Sequence, residues 1–240
     1  MKLEPTILDF FKRALRTAQL LKFEDFVIEQ DIVRGWNAAK TAIIADPNVP
    51  ELPFVGVGFN RVGKLIQRMA LMDNYTVDTE EKNGFVMGLV IKGDGATMKY
   101  KCANPNAIKT PKNVNDRAMW EFELSVVDVE KLAKAQAAMN AQCIQFECDE
   151  GSLVIRLTDM ERDTYEQPVR TEVQNVSSLN ESLDFDKQYD AGMLLTILRN
   201  SDRSKDDTIS VTIGQGGNMQ ASVFGIVVNV VPQIKQKVML

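Results

Sequence analysis

The sequence predicts an α+β protein built from two similar halves, with antiparallel sheets and two helices in each half. Three observations predict it. Turn dipeptides recur between β-rich runs: Asn83-Gly84, Asp94-Gly95, Glu150-Gly151 and Gly216-Gly217. Asn-Gly and Asp-Gly favour type I′ hairpins, because both central residues need positive φ. Four stretches instead carry a helical period, at 7–22, 60–72, 127–140 and 190–203. Their order repeats, since the first and third start 120 residues apart and the second and fourth 130 apart.

The first helix is expected to bury a stripe of Leu8, Phe11, Leu15 and Ala18, with Lys12, Arg16 and Gln19 off it. In the second, Val62, Leu65, Ile66 and Met69 face inward, and Arg61, Lys64 and Arg68 share the opposite face. Residues 104–117, NPNAIKTPKNVNDR, read as an exposed linker. The expected domains are therefore 1–103 and 118–240, joined by 104–117. In 119–125, Trp120, Phe122 and Leu124 alternate with Glu121 and Glu123, as a strand requires. In 143–149, Ile144, Phe146 and Cys148 alternate with Gln145 and Glu147. Asp128 falls near the start of the third helix, which is short of bulky apolar residues after Leu132, and Asp190 is the expected N-cap of the fourth. Candidate edge strands are 118–124 and 164–172, where Pro168 is compatible with an edge position.

Charge is segregated. The four stretches hold eleven Lys and Arg against five acids, a net of +6 in a chain whose total is −5, which leaves −11 elsewhere. A polyanion partner confined to one surface would select such a pattern, and DNA is that kind of partner because phosphates dominate its affinity. The cations are not interleaved with aromatic residues, which argues for duplex backbone over single strands held by stacking. No recognition helix set for base edges stands out.

Several chemistries are excluded or disfavoured. There is no histidine, so His-based triads and His metal sites are absent. Cys102, Cys143 and Cys148 are an odd number with no metal spacing, and neither a disulfide framework nor a metal role is expected. No run is long enough to cross a bilayer, and no signal-peptide pattern opens the chain, so an intracellular location is expected. The acid-rich stretch 159–166 could suggest a metal site, but its carboxylates alternate with Arg156, Arg162 and Arg170 and it reads as a solvated strand or loop. Gly58-Phe-Asn-Arg-Val-Gly63-Lys64-Leu65 nearly matches a phosphate loop, follows a strand-like run and opens a helix. Its last position is Leu65, which has no hydroxyl for Mg²⁺. A nucleotide-binding enzyme using Lys64 stands as the alternative from another class.

Four segments together resemble a known family. They are VGVGFNRVGKLIQRMALMDNYTV, DVEKLAKAQAAMNAQCIQFECDEGSLVI, LDFDKQYDAGMLLTILRNSDRSKDDTISVTI and VVNVVPQI. In order and spacing they are similar to the two-domain sliding DNA clamps, typified by proliferating cell nuclear antigen and the clamps of T4-like phages. The resemblance spans nearly the whole chain and implies a clamp without catalytic residues, cofactor or metal. It implies a homotrimeric ring with sheets outside and helices lining the hole, loaded by an ATP-dependent clamp loader and tethering a DNA polymerase at replicating DNA. A viral or phage source fits the divergence. A monomeric clamp-like processivity factor is the third reading.

Carried over by position, Lys12, Arg13, Lys64, Lys131 and Lys134 fall where the family has basic channel residues. Helical phase adds Arg61, Arg68, Arg199 and Arg203, and Arg16 stands where cellular members often carry an acid. The linker matches the family's interdomain connecting loop, which covers a pocket for client peptides. Trp36, Pro232 and Ile234 match pocket positions, and Ile43, Ile108, Val114 and Val231 complete the expected lining.

Overall fold

The computed structural model describes residues 1–111, 116–149, 152–175 and 187–233. It divides into two compact units. The first is Met1–Asn113 with Phe224–Ile226, and the second is Val114–Val223 with Val227–Leu240.

The first unit runs α1 (Pro5–Leu20), β1 (Asp25–Glu29), β2 (Val33–Trp36), β3 (Ala42–Asp46), β4 (Gly56–Asn60), α2 (Val62–Met69), β5 (Tyr75–Lys82), β6 (Phe85–Gly93) and β7 (Ala96–Lys101). The second runs β8 (Ala118–Ser125), α3 (Val126–Met139), β9 (Cys143–Asp149), β10 (Ser152–Thr158), β11 (Thr164–Val169), β12 (Gln174–Asn175), β13 (Tyr189–Asp190), α4 (Ala191–Asn200), β14 (Thr208–Gly214), β15 (Met219–Val223) and β16 (Ile226–Val230).

The two connectivities correspond. In the first unit β1 pairs antiparallel with β2 and β4, and β2 pairs with β3. In the second, β9 pairs antiparallel with β10 and β13, and β10 with β11. β5–β6–β7 is a meander in the first unit, and β14–β15–β16 is its counterpart. β14 pairs with β8 over the length of that strand. The matching partner of β5 is the chain start, which the sequence pattern missed: Leu3 N–H donates to Val77 O at 2.8 Å, and Lys2 bridges Asp78. β4 and the start of β6 pair in parallel, Gly56 with Phe85 and Val57 with Val86. The fold class is thus α+β, two similar domains each with two helices.

Local chemistry explains the elements. Pro5 stands in the first turn of α1, where its missing N–H costs nothing. Asn83-Gly84 and Asp94-Gly95 all have positive φ, as type I′ hairpins demand. Phe224-Gly225 turns the same way with a far weaker sequence signal. Ser125 caps α3 by accepting from Asp128 N–H at 3.1 Å, and its hydroxyl donates back to the Asp128 carboxylate. Asp190 caps α4, accepting from Met193 N–H at 2.7 Å. Asp190→Ala is expected to cost about 1 kcal/mol, read as a lower denaturant midpoint. An unchanged midpoint would show that the cap contributes nothing.

Each core centres on aromatic rings behind its helices. Phe11, Phe26 and Phe59 cluster in the first unit, and Phe122, Phe146 and Tyr189 in the second. α1 buries Ile7, Phe10, Phe11, Ala14, Leu15 and Ala18, whereas the expected Leu8 is only half-buried. Ile7, Phe10 and Ala14 widen the buried strip beyond the expected stripe.

The edges also differ from expectation. β11 pairs only with β10 among the described strands, with Pro168 opposite Val154. The 118–124 strand is no free edge. β14 covers one side, and on the other β12 pairs with Trp120 and Glu121 while the Thr171 hydroxyl accepts Glu123 N–H at 3.3 Å. In the first unit it is β7 that has a single partner, β6, among the described strands.

Candidate functional site: the basic helix faces

In the first unit, α1 and α2 pack side by side and leave a groove of about 510 Å³ between them. Lys12 and Arg16 line it with Gln19, Ile66, Met69 and Tyr75. Both cations are exposed and rest on neutral rings. Lys12 Nζ lies 4.6 Å from the Tyr75 ring centre, and the Arg16 guanidinium lies 3.9 Å from that of Phe224. Arg13 is engaged differently. It pairs with Asp9 at 3.0 Å and donates to the carbonyls of Phe224 at 3.3 Å and Gly225 at 3.2 Å. Lys64 and Arg68 project from one face of α2, both exposed and with no ion pair among the described residues.

Arg61 corrects the helical-phase reading. It precedes α2 with a left-handed φ of 54°, so it does not continue the α2 face. Its guanidinium turns to the Lys101 carbonyl at 3.2 Å and stacks 5.5 Å from the Tyr100 ring centre. The Tyr100 hydroxyl in turn donates to the Asn60 carbonyl. Lys22, also counted with the first helix, lies beyond its end with φ 59°.

In the second unit the cations are closer to acids. Lys131 lies 3.4 Å from Asp128, and Arg199 of α4 reaches Glu130 of α3 at 3.0 Å. Lys134 is exposed and makes no ion pair among the described residues. Arg203 falls beyond α4 in a loop, 3.9 Å from Asp207, so it too leaves the helical set. The observed helices therefore hold eight cations, five of them in α1 and α2.

The expected pocket residues fall in both units. Trp36 and Ile43 stand directly opposite each other on β2 and β3, both half-buried, with Lys40 Nζ 4.9 Å from the Trp36 ring centre. Ile108 packs against Gly58 on β4, two strands from Trp36, where a Cβ would meet its Cδ1 at 2.9 Å. Val231 and Pro232 are half-exposed after β16 in the second unit. Val114 and Ile234 lie outside the described residues, as does the Glu150-Gly151 turn.

Among the described residues, no group of three or more acids or cysteines is arranged to hold a metal. Burial pushes the Cys102 thiol up to about 12 and raises Cys143 above its ordinary value, with Asp190 adding to the latter shift. Neither thiol is activated.

The phosphate-loop alternative fails on geometry. Gly58, Phe59 and Asn60 are not loop but strand β4, paired with Val27, Phe26 and Asp25 of β1. Gly58 O further accepts from Ala103 N–H at 2.9 Å. A phosphate cradle needs a run of free N–H groups curling around the anion, and an extended strand leaves no such curl ahead of Lys64.

No family model matches the chain, and no curated protein matches it. Solved structures do. The crystal structure of proliferating cellular nuclear antigen from Entamoeba histolytica aligns with a TM-score of 0.61 at 12% identity, over 94% of this chain and 96% of that one. A structure of the C-terminal region of FEN-1 bound to A. fulgidus PCNA aligns with the same TM-score and identity, over 95% and 97%. The chain has the sliding-clamp fold. At 12% identity the clamp fold is held by pattern, since few positions keep the same residue. The sequence gives no sign of the Phe224-Gly225 turn that receives Arg13 and Arg16. A bulky residue before Gly225 gives no reason to expect positive φ there. Nor does the sequence show the reach of Glu130 to Arg199, which two helices far apart in sequence create.

Proposed function

We propose that this protein is a sliding clamp that encircles duplex DNA as a homotrimer and tethers a DNA polymerase and other clients. It catalyses nothing itself. The observation that carries this reading is the repeated unit, a pair of helices with exposed cations backed by antiparallel sheet, in the clamp fold. Exposed Lys and Arg meet phosphates without reading sequence, which suits a protein that must move along DNA. The negative balance outside the helices keeps DNA from other surfaces.

Assembly has a candidate route. Each copy offers a six-residue strand with a single partner in each unit, β7 and β11 among the described strands. Two different edges on one chain suit head-to-tail pairing, which closes into a ring when the rotation allows. Domains 1–103 and 118–240 are the ring's repeating pieces, with 104–117 as the connecting loop. Trp36 and Ile43, with Ile108, Val231 and Pro232, are the proposed client-peptide surface. An ATP-dependent loader would open the ring, and replicating DNA inside the cell is the expected place of action. No helix among the described residues is long and apolar enough to cross a membrane.

Light scattering across a concentration series tests the ring. A species near three times 26.9 kDa is expected, retained on circular duplex and lost from linear duplex. A monomer at every concentration, with no such difference, would overturn it.

A further inference from the structure

The acids are not shared evenly between the two helix pairs. α1 and α2 hold Lys12, Arg13, Arg16, Lys64 and Arg68 against Asp9 alone, a net of +4. α3 and α4 hold Lys131, Lys134 and Arg199 against Asp128 and Glu130, a net of +1. Geometry deepens the difference. Two of the three second-unit cations lie within 3.0 to 3.4 Å of a carboxylate. Such a pair acts at a distance as a dipole, so a phosphate several ångströms away feels little of it. Screening over about 8 Å at physiological salt removes most of the remainder.

The first unit keeps its charge exposed. Lys12 and Arg16 rest on rings that carry no net charge, and Lys64 and Arg68 make no ion pair among the described residues. Only Arg13 is committed, to Asp9 and two carbonyls.

We infer that the first unit's helix pair holds the duplex phosphates while the second unit's pair is masked by its own carboxylates. This rests on the clamp reading above. In a ring of three copies, attractive sectors would alternate with near-neutral ones. Attraction to DNA would then be intermittent around the hole, which lowers the friction of sliding without abolishing the hold. Glu130 is the masking residue whose removal should be felt most, because its carboxylate reaches Arg199 from the neighbouring helix.

Two charge-matched variants separate the possibilities: Lys64→Ala with Arg68→Ala, and Lys131→Ala with Arg199→Ala. Each removes two positive charges per copy. Binding of a labelled duplex of fixed length is followed by fluorescence anisotropy between about 50 and 200 mM salt. The log–log salt slope should flatten by about 0.9 for every phosphate the protein no longer neutralises, hence by nearly two per copy that touches the duplex for the first variant and by less than half of that for the second. Glu130→Gln should steepen the slope by unmasking Arg199. Circular dichroism confirms that each variant is folded, and surface pairs of this kind contribute little to stability. Equal flattening by the two variants, or no response to Glu130→Gln, overturns the asymmetry but leaves the clamp reading standing. No change in either double variant overturns both, because then none of these helices meets DNA.

Discussion

Phe59→Ala is expected to cost about 3–5 kcal/mol, the usual effect of emptying a buried phenylalanine site. Phe59 is 0% exposed. Its ring stacks on Phe26 at 4.9 Å and meets Phe11 edge-on at 5.4 Å, so one residue ties β4 to β1 and to α1. Aromatic pairs of this geometry add about 0.5–1.5 kcal/mol each beyond burial. The site cannot collapse easily, because Phe59 is paired in register with Phe26 across two strands whose backbones hold each other in place. Against a total stability of about 5–15 kcal/mol the loss is large. Denaturant titration should show the midpoint falling, and Phe59→Leu should recover most of it. A loss under about 1 kcal/mol for the alanine variant, the centre of the range for ordinary substitutions, would mean that this cluster is not the centre of the first core.

The second large effect is alkaline. Burial holds the Cys102 thiol up to about 12, against an ordinary value near 9. In the unfolded chain the thiol ionises from about pH 9, while in the folded chain it stays protonated. The folded state therefore keeps its full advantage below pH 9 and loses it progressively as pH rises towards 12. At the far end the loss reaches about 4 kcal/mol. Tyrosines and lysines titrate in the same range, so the wild type must be compared with Cys102→Ala. The variant should be the less pH-sensitive of the two between pH 9 and 12. Parallel stability curves would mean that Cys102 is open to water in the native protein.

Most of the architecture was legible because it rests on two periods and on turn chemistry. The alternation of Trp120, Phe122 and Leu124 with Glu121 and Glu123 placed a one-sided strand, and all three apolar side chains are buried. Asn83-Gly84 and Asp94-Gly95 fixed two hairpins. Boundaries were less legible. Arg61 lies at the right spacing for the α2 face, but its own left-handed backbone sets it ahead of the helix and turns the side chain to Tyr100. Spacing cannot reveal such a dihedral in an arginine. The pairing of the chain start with β5 was not legible, because only the tertiary contact of Lys2 and Leu3 with Asp78 and Val77 creates it. The basic residues were legible as a set, yet their neutralisation was not. Whether Arg199 meets Glu130 depends on how two helices far apart in sequence lie against each other.

Pro168 has a consequence for what this protein avoids. A strand with one donor missing presents a ladder with an absent rung. Two copies of β11 laid side by side would bring two such gaps into a single short ladder of six residues. A different strand that places a carbonyl or a kink at that level loses nothing. Self-recognition of β11 is thereby penalised relative to recognition by something unlike it, so indefinite stacking of like edges into fibrils is discouraged. Resistance to like-with-like stacking at this edge comes from one missing hydrogen.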